Sequence, residues 1–147
     1  MNWRTLLVLC LSFCWTGVAV AEEVTVQWAA TEKLTVCKMS TGSLNQGNLI
    51  GEEIFLARDS ANGSVRVFVG VIARNNEPVP LVASVKTDTA AKLIVVWLLQ
   101  IHFSDGARAN VQYSATLFHA TNELQVNASP PGFRSVSARG KCKPYKG

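Results

Sequence analysis

An all-β fold is what this sequence predicts: a single antiparallel β-sandwich or small β-barrel of about eight strands, closed by one disulfide. Apolar residues recur at every second position in one segment after another. Short turn signals such as Asn62-Gly63 and Ser104-Asp105-Gly106 separate these segments. Two cysteines, Cys37 and Cys142, stand near opposite ends of the predicted domain.

The first residues predict export. Arg4 precedes a mostly apolar run over 6–20, and Ala19-Val20-Ala21 has the small-x-small form of a signal-peptidase site. The expected organisation is a signal peptide over 1–21, cleaved after Ala21, and one exported β domain over 22–147, secreted or periplasmic. Glu22 and Glu23 end the apolar run short of the about 20 residues of a membrane span, so no transmembrane span is expected after cleavage. Bulky Phe13 stands before Cys14 where a lipoprotein signal needs a small residue, which argues against lipidation.

Cys10, Cys14 and Arg4 belong to the expected leader. Of 14 basic side chains that leaves 13, against 10 acidic ones. A mildly basic chain of 126 residues, 22–147, buries about two-thirds of its unfolded surface, enough for one core. It is too apolar and too weakly charged for a disordered chain. Two cysteines in an oxidising compartment read as one disulfide, Cys37–Cys142. Closing a loop of that length is worth about 4–5 kcal/mol in the chain-entropy account. Without a CxxC spacing or neighbouring histidines, they make a weak metal signal.

Taken in order, Val24, Val26 and Trp28 alternate with Thr25 and Gln27, as a half-buried strand requires. A strand over 33–39 sets Leu34 and Val36 on one face and Thr35, Cys37 and Met39 on the other. The stretch 40–51, rich in Gly, Ser and Asn, reads as loop. Ile54-Phe55-Leu56 marks an edge strand over 52–58. After Asn62-Gly63, the stripe Val65, Val67, Val69, Val71 predicts a strand over 64–72. Pro78 and Pro80 lead into a strand over 81–87, since proline lacks an amide donor and suits only a strand's start.

The most apolar stretch follows. Leu93, Val95, Trp97, Leu99, Ile101 and Phe103 form one face and Ile94, Val96 and Leu98 the other, as in a strand covered on both sides. A rival reading has Asp88 capping a helix through Ala90, Ala91 and Lys92. The β-branched Ile94, Val95 and Val96 favour the strand. Beyond the Ser104-Asp105-Gly106 hairpin, Val111, Tyr113, Ala115 and Leu117 make one face of the next strand. A short strand over 124–126 and a last one over 133–143 complete the set, the latter with Val136, Ala138 and Gly140 on the side of Cys142. The bridge would then join two packed sheets or the seam of a barrel, protecting edges that otherwise recruit another chain.

Functional signals are sparse. No GxSxG, HExxH, Walker or dinucleotide pattern occurs. His102 and His119 flank one hairpin, but its register sets His102 opposite the region of Arg108 to Asn110, far from His119. Glu52 and Glu53, adjacent on a strand, point to opposite faces and make a poor catalytic pair. The basic C-terminal part holds the weak candidates for ligand binding, Arg134, Arg139, Lys141 and Lys143, with Lys146 beyond them. The expected partner is a protein, a glycan or an anionic envelope component. Nucleic acid is not expected, because the charge is modest and aromatics are not interleaved with the cations. No cofactor and no metal are expected. Asn62 and Asn127 head sequons that matter only in a eukaryotic secretory route.

The expected function is therefore an exported, non-enzymatic binding module, monomeric, using the 40–51 loop, the Pro130-Pro131-Gly132 turn or a sheet face. One alternative is a structural subunit assembling by β-strand addition at 22–28. Another is a small secreted hydrolase.

Overall fold

The computed structural model describes residues 26–40, 48–75 and 78–146. The expected signal peptide with Cys10 and Cys14, the first residues of the expected 22–28 strand, and most of the 40–51 loop lie outside the described residues.

Eight strands run in chain order: β1 (Glu32–Ser40), β2 (Glu53–Asp59), β3 (Val65–Val69), β4 (Leu81–Asp88), β5 (Lys92–His102), β6 (Arg108–Phe118), β7 (Glu123–Ser129) and β8 (Val136–Pro144). One short helix, α1 (Gly70–Asn75), separates β3 from β4. Each strand pairs antiparallel with its chain neighbours, and β8 returns to β1, so the sheet is a closed up-and-down barrel rather than a sandwich. β2, expected as an edge, instead pairs with β1 on one side and β3 on the other, as up-and-down order requires, and closure gives β1 and β8 their second partners.

Alternation decides what fills the barrel. Cys37 and Met39, Ile54 and Leu56, and the valines Val65, Val67 and Val69 point inward and are buried. Leu93, Val95, Trp97, Leu99 and Ile101 face Leu117, Ala115, Tyr113, Val111 and Ala109 across the β5–β6 ladder. An eight-stranded barrel is just wide enough for such side chains to fill it. Trp97 and Tyr113 are register partners whose rings stack with centroids 5.2 Å apart and planes 4° from parallel. The Trp97 indole N–H has no hydrogen-bond partner among the described residues. The Tyr113 hydroxyl donates to the Leu49 carbonyl at 2.9 Å. Burial pushes that phenol's pKa up to about 12.

Several expectations are corrected here. Residues 26–29 are not a strand. Their lead-in is held instead by a clamp on the outer wall. Arg66 of β3 donates through Nε at 2.6 Å and Nη2 at 2.5 Å to the Glu32 carboxylate, and its guanidinium lies 5.2 Å from the centre of the Trp28 ring. The valine stripe of β3 stops at Val69, and Val71 enters α1, where Val71 and Ile72 are buried and plug one end of the barrel with Leu49 and Ile50. Asn75, at the end of α1, accepts the His102 amide at 2.7 Å and ties the plug to β5. The apolar run around Trp97 is a strand, without the rival helix. Its outer face is covered only in part: Ile94 and Val96 are half-buried and Leu98 is 59 % exposed.

The seam is where the chain's two ends meet. Six register pairs join β1 to β8, from Thr35↔Pro144 to Ser40↔Arg139. Cys37 and Cys142 are partners in that ladder and form the expected disulfide. Gly140 lies opposite Met39, and a Cβ there would run into the Lys38 carbonyl oxygen and come within 2.6 Å of Met39 Sδ. Only glycine lets β8 approach β1 this closely.

Two outcomes follow from the seam. Replacing both cysteines by alanine is expected to lower the unfolding free energy by roughly 2–4 kcal/mol in urea titrations, because the bridge spans 105 residues. Gly140→Ala, with the bridge intact, is expected to cost about 2 kcal/mol or more, since backbone must shift. A Gly140→Ala protein as stable as the parent contradicts this packing.

The outer clamp gives a pH dependence. Hydrogen bonds from Arg66 hold the Glu32 carboxyl below its ordinary pKa of 4.5. A depressed carboxyl contributes stability that is complete above the ordinary value and is lost as pH falls through the lowered one. Glu32→Gln is therefore expected to cost about 1–2 kcal/mol at neutral pH and progressively less below about pH 4, measured by denaturant unfolding across pH.

Candidate binding site at the barrel mouth

With α1 plugging one end, the opposite end is an open mouth. Inward positions reach it from several strands, because alternating stripes that build the core continue on β1 and β2 into polar residues. On β1 the stripe Met39, Cys37 ends in Thr35 and Lys33, and on β2 the stripe Ile54, Leu56 ends in Arg58. Register confirms the shared face: Lys33 pairs with Arg58 and Arg58 with Val65. On β6 the stripe ends in Leu117, and His119 follows in the β6–β7 turn.

These residues surround a cavity of about 200 Å³. Its floor is Leu56, Val65, Leu93, Leu117 and the Cys142 end of the bridge. Its rim is Lys33, Thr35, Arg58, His119, Asn122 and Lys143. Asp88, the last residue of β4 and partner of Leu93, forms an ion pair with Arg58 across the mouth. The lining cations exceed that one acid, so the mouth is electropositive over an apolar floor.

Hydrogen bonds around the rim hold the turns. His119 N donates to Ala91 O at 3.0 Å, joining the β6–β7 turn to the β4–β5 turn. Cys142 N donates to Asn122 O at 2.8 Å, and Asn122 takes a positive φ of 50° that asparagine tolerates. Tyr145 N donates to Leu34 O at 3.0 Å, and Ser60 Oγ to Thr31 O at 2.7 Å.

The basic candidates from the sequence are scattered by the fold. Lys143 lies at the mouth. Arg139 and Lys141 lie on the outer wall, flanking the Glu123 carboxylate at 3.8 and 3.4 Å. Arg134 sits in the β7–β8 turn. The histidines occupy opposite ends, His119 at the mouth and His102 beside the plug, where its Nε2 lies 3.4 Å from Gln100 Oε1. Sequence reasoning missed Lys33, Thr35, Arg58 and Asn122. The available signal was phase: Lys33 and Thr35 share the parity of Cys37, and Arg58 that of Leu56.

A second concavity, an open groove of about 660 Å³, runs beside the plugged end between Lys38, Met39, Glu52, Glu53, Phe55 and Phe68. Its one cation is paired, with Lys38 Nζ 3.9 Å from Glu53 Oε1, and Glu52 adds a second carboxylate to the lining. The mouth has the stronger form of a ligand site, several polar groups converging on an apolar floor. Among the described residues no group of three or more His, Cys, Asp or Glu is placed to hold a metal ion. No protein-family model, no curated protein and no solved structure matches this chain.

Proposed function

We propose that this chain is an exported, non-enzymatic binding module that takes a small organic anion with an apolar body into the mouth of its barrel. The observation that carries the reading is the pairing of a cationic rim with an apolar floor, above all Arg58 over Leu56 and Leu93. A guanidinium offers a carboxylate a planar, bidentate partner. Asp88 competes for it, so the ligand's anion displaces or shares that contact. About 200 Å³ is below the roughly 300–1,000 Å³ usual for drug-sized ligands, so the ligand is small and its Kd is on the order of 100 µM. The disulfide supports export, since such bonds persist in oxidising compartments.

Hexanoate, hexanol and hexylamine share a chain and differ in charge, so an NMR titration with all three tests the reading. Hexanoate is expected to shift the amides of Thr35, Leu56, Arg58, Leu93 and His119 and to bind more tightly than the other two. Arg58→Ala is expected to weaken hexanoate about tenfold and Asp88→Asn to strengthen it a few-fold. Because Cys142 lines the mouth, saturating hexanoate is also expected to slow reduction of the bridge by dithiothreitol. Shifts confined to residues away from the mouth, or equal affinity for hexylamine, contradict the proposal.

A further inference from the structure

The two sulfurs of the seam bridge differ in what they face. Cys37 is fully buried in the core. Cys142, its ladder partner, is partly buried and lines the mouth. A thiolate breaks a disulfide by attacking one sulfur as the other leaves, so access decides which sulfur is attacked. The mouth gives an attacker from solvent a path to Cys142, whereas Cys37 has no exposed surface. That path is charged. Lys33, Arg58 and Lys143 stand on the rim, and Lys143 directly follows Cys142 in β8. Asp88 engages Arg58, but neither Lys33 nor Lys143 has a carboxylate partner among the described residues. The field at the entrance therefore favours anions.

We infer that Cys142 is a covalent acceptor site for a small anionic thiol, one that carries a carboxylate a few bonds from its sulfur. The thiol loses its proton, and its sulfur bonds to Cys142 Sγ while the Cys37–Cys142 bond breaks. The electron pair of the broken bond goes to Cys37 Sγ, which takes up a proton. One disulfide is exchanged for another, with the incoming sulfur oxidised as Cys37 is reduced, so no further oxidant or reductant is needed. As a neutral thiol, Cys37 behaves as a small apolar side chain and suits the core it occupies. The rest of the seam ladder still joins β1 to β8, so the barrel keeps its shape with the adduct in the cup of about 200 Å³.

The inference rests on the cationic mouth of the ligand reading, but not on retention of an anion there. Passage through the mouth is enough. A hexanoate titration without shifts leaves the exchange at Cys142 standing, and an adduct on the wrong sulfur overturns the exchange without touching hexanoate binding.

Mercaptopropionate, mercaptoethanol and cysteamine, which differ in charge, test it on the oxidised protein. Each rate of bridge opening is taken per thiolate and divided by the same thiol's rate on hydroxyethyl disulfide, which removes intrinsic reactivity. Mercaptopropionate is expected to exceed cysteamine about tenfold on this scale, with mercaptoethanol between them. Acid quenching, alkylation and peptide mapping are expected to place the early adduct on Cys142 and the alkyl group on Cys37. Lys143→Glu is expected to bring the three thiols within about twofold of one another. Arg134→Glu, in the β7–β8 turn at the plugged end, is expected to leave the preference within about twofold of the parent's. Lys143 and Arg134 are both exposed, so the variants retain the fold, checked by circular dichroism. Equal scaled rates for the three thiols in the parent protein overturn the inference, as does an early adduct on Cys37. Bridge opening that follows global unfolding in urea, the sign that the folded barrel admits no thiol, overturns it too.

Discussion

Closure of the sheet by β1 against β8 is the constraint on which the rest of the molecule depends. An open eight-stranded sheet with this sequence would expose two long edges, and every other pairing here is between chain neighbours. The seam alone brings together residues about a hundred positions apart, so it carries the largest entropic cost of loop closure. Three local features offset that cost: a ladder of six pairs, a glycine that permits close approach, and a covalent bond within the same ladder. Once the ring is shut, its inward stripes share one core, with one end filled by Val71 and Ile72 and the other left as a polar-rimmed cup.

The strand pattern was legible because period two survives wherever one face of a strand is buried and the other wet. That is why β1, β4, β5 and β6, the Ser104-Asp105-Gly106 hairpin and the Cys37–Cys142 bridge match expectation. Pattern misled where an apolar residue had a different neighbour than a sheet. Val71 continues the parity of Val65, Val67 and Val69, yet it is buried as part of an end plug, a tertiary demand invisible to local alternation. Trp28 alternates with Gln27, but it packs beneath Arg66, outside the barrel ladder. For β5, apolar residues on both faces suggested cover on both, and the fold supplies it in full only on the inside, leaving Ile94 and Val96 half-buried and Leu98 exposed.

The mouth was less legible than the strands. A basic C-terminal run draws attention by its density, but alternation sends Arg139 and Lys141 to the outer wall, where Glu123 partly neutralises them. The residues that converge on the mouth come from several strands. Lys33 and Arg58 meet in the β1–β2 ladder, His119 joins them only through closure, and no linear spacing announces the three. The barrel thus presents a filled core, a charged and partly apolar outer wall and a cup at one end, all products of the same alternation wrapped into a ring.

Amide hydrogen exchange along the oxidised chain tests closure most directly. A shut barrel predicts that ladder amides of β1 and β8 at the seam exchange about as slowly as those in the middle of the β5–β6 ladder. Rapid exchange of β1 and β8 beside a protected β5–β6 pair would show an open sheet, and would contradict the account.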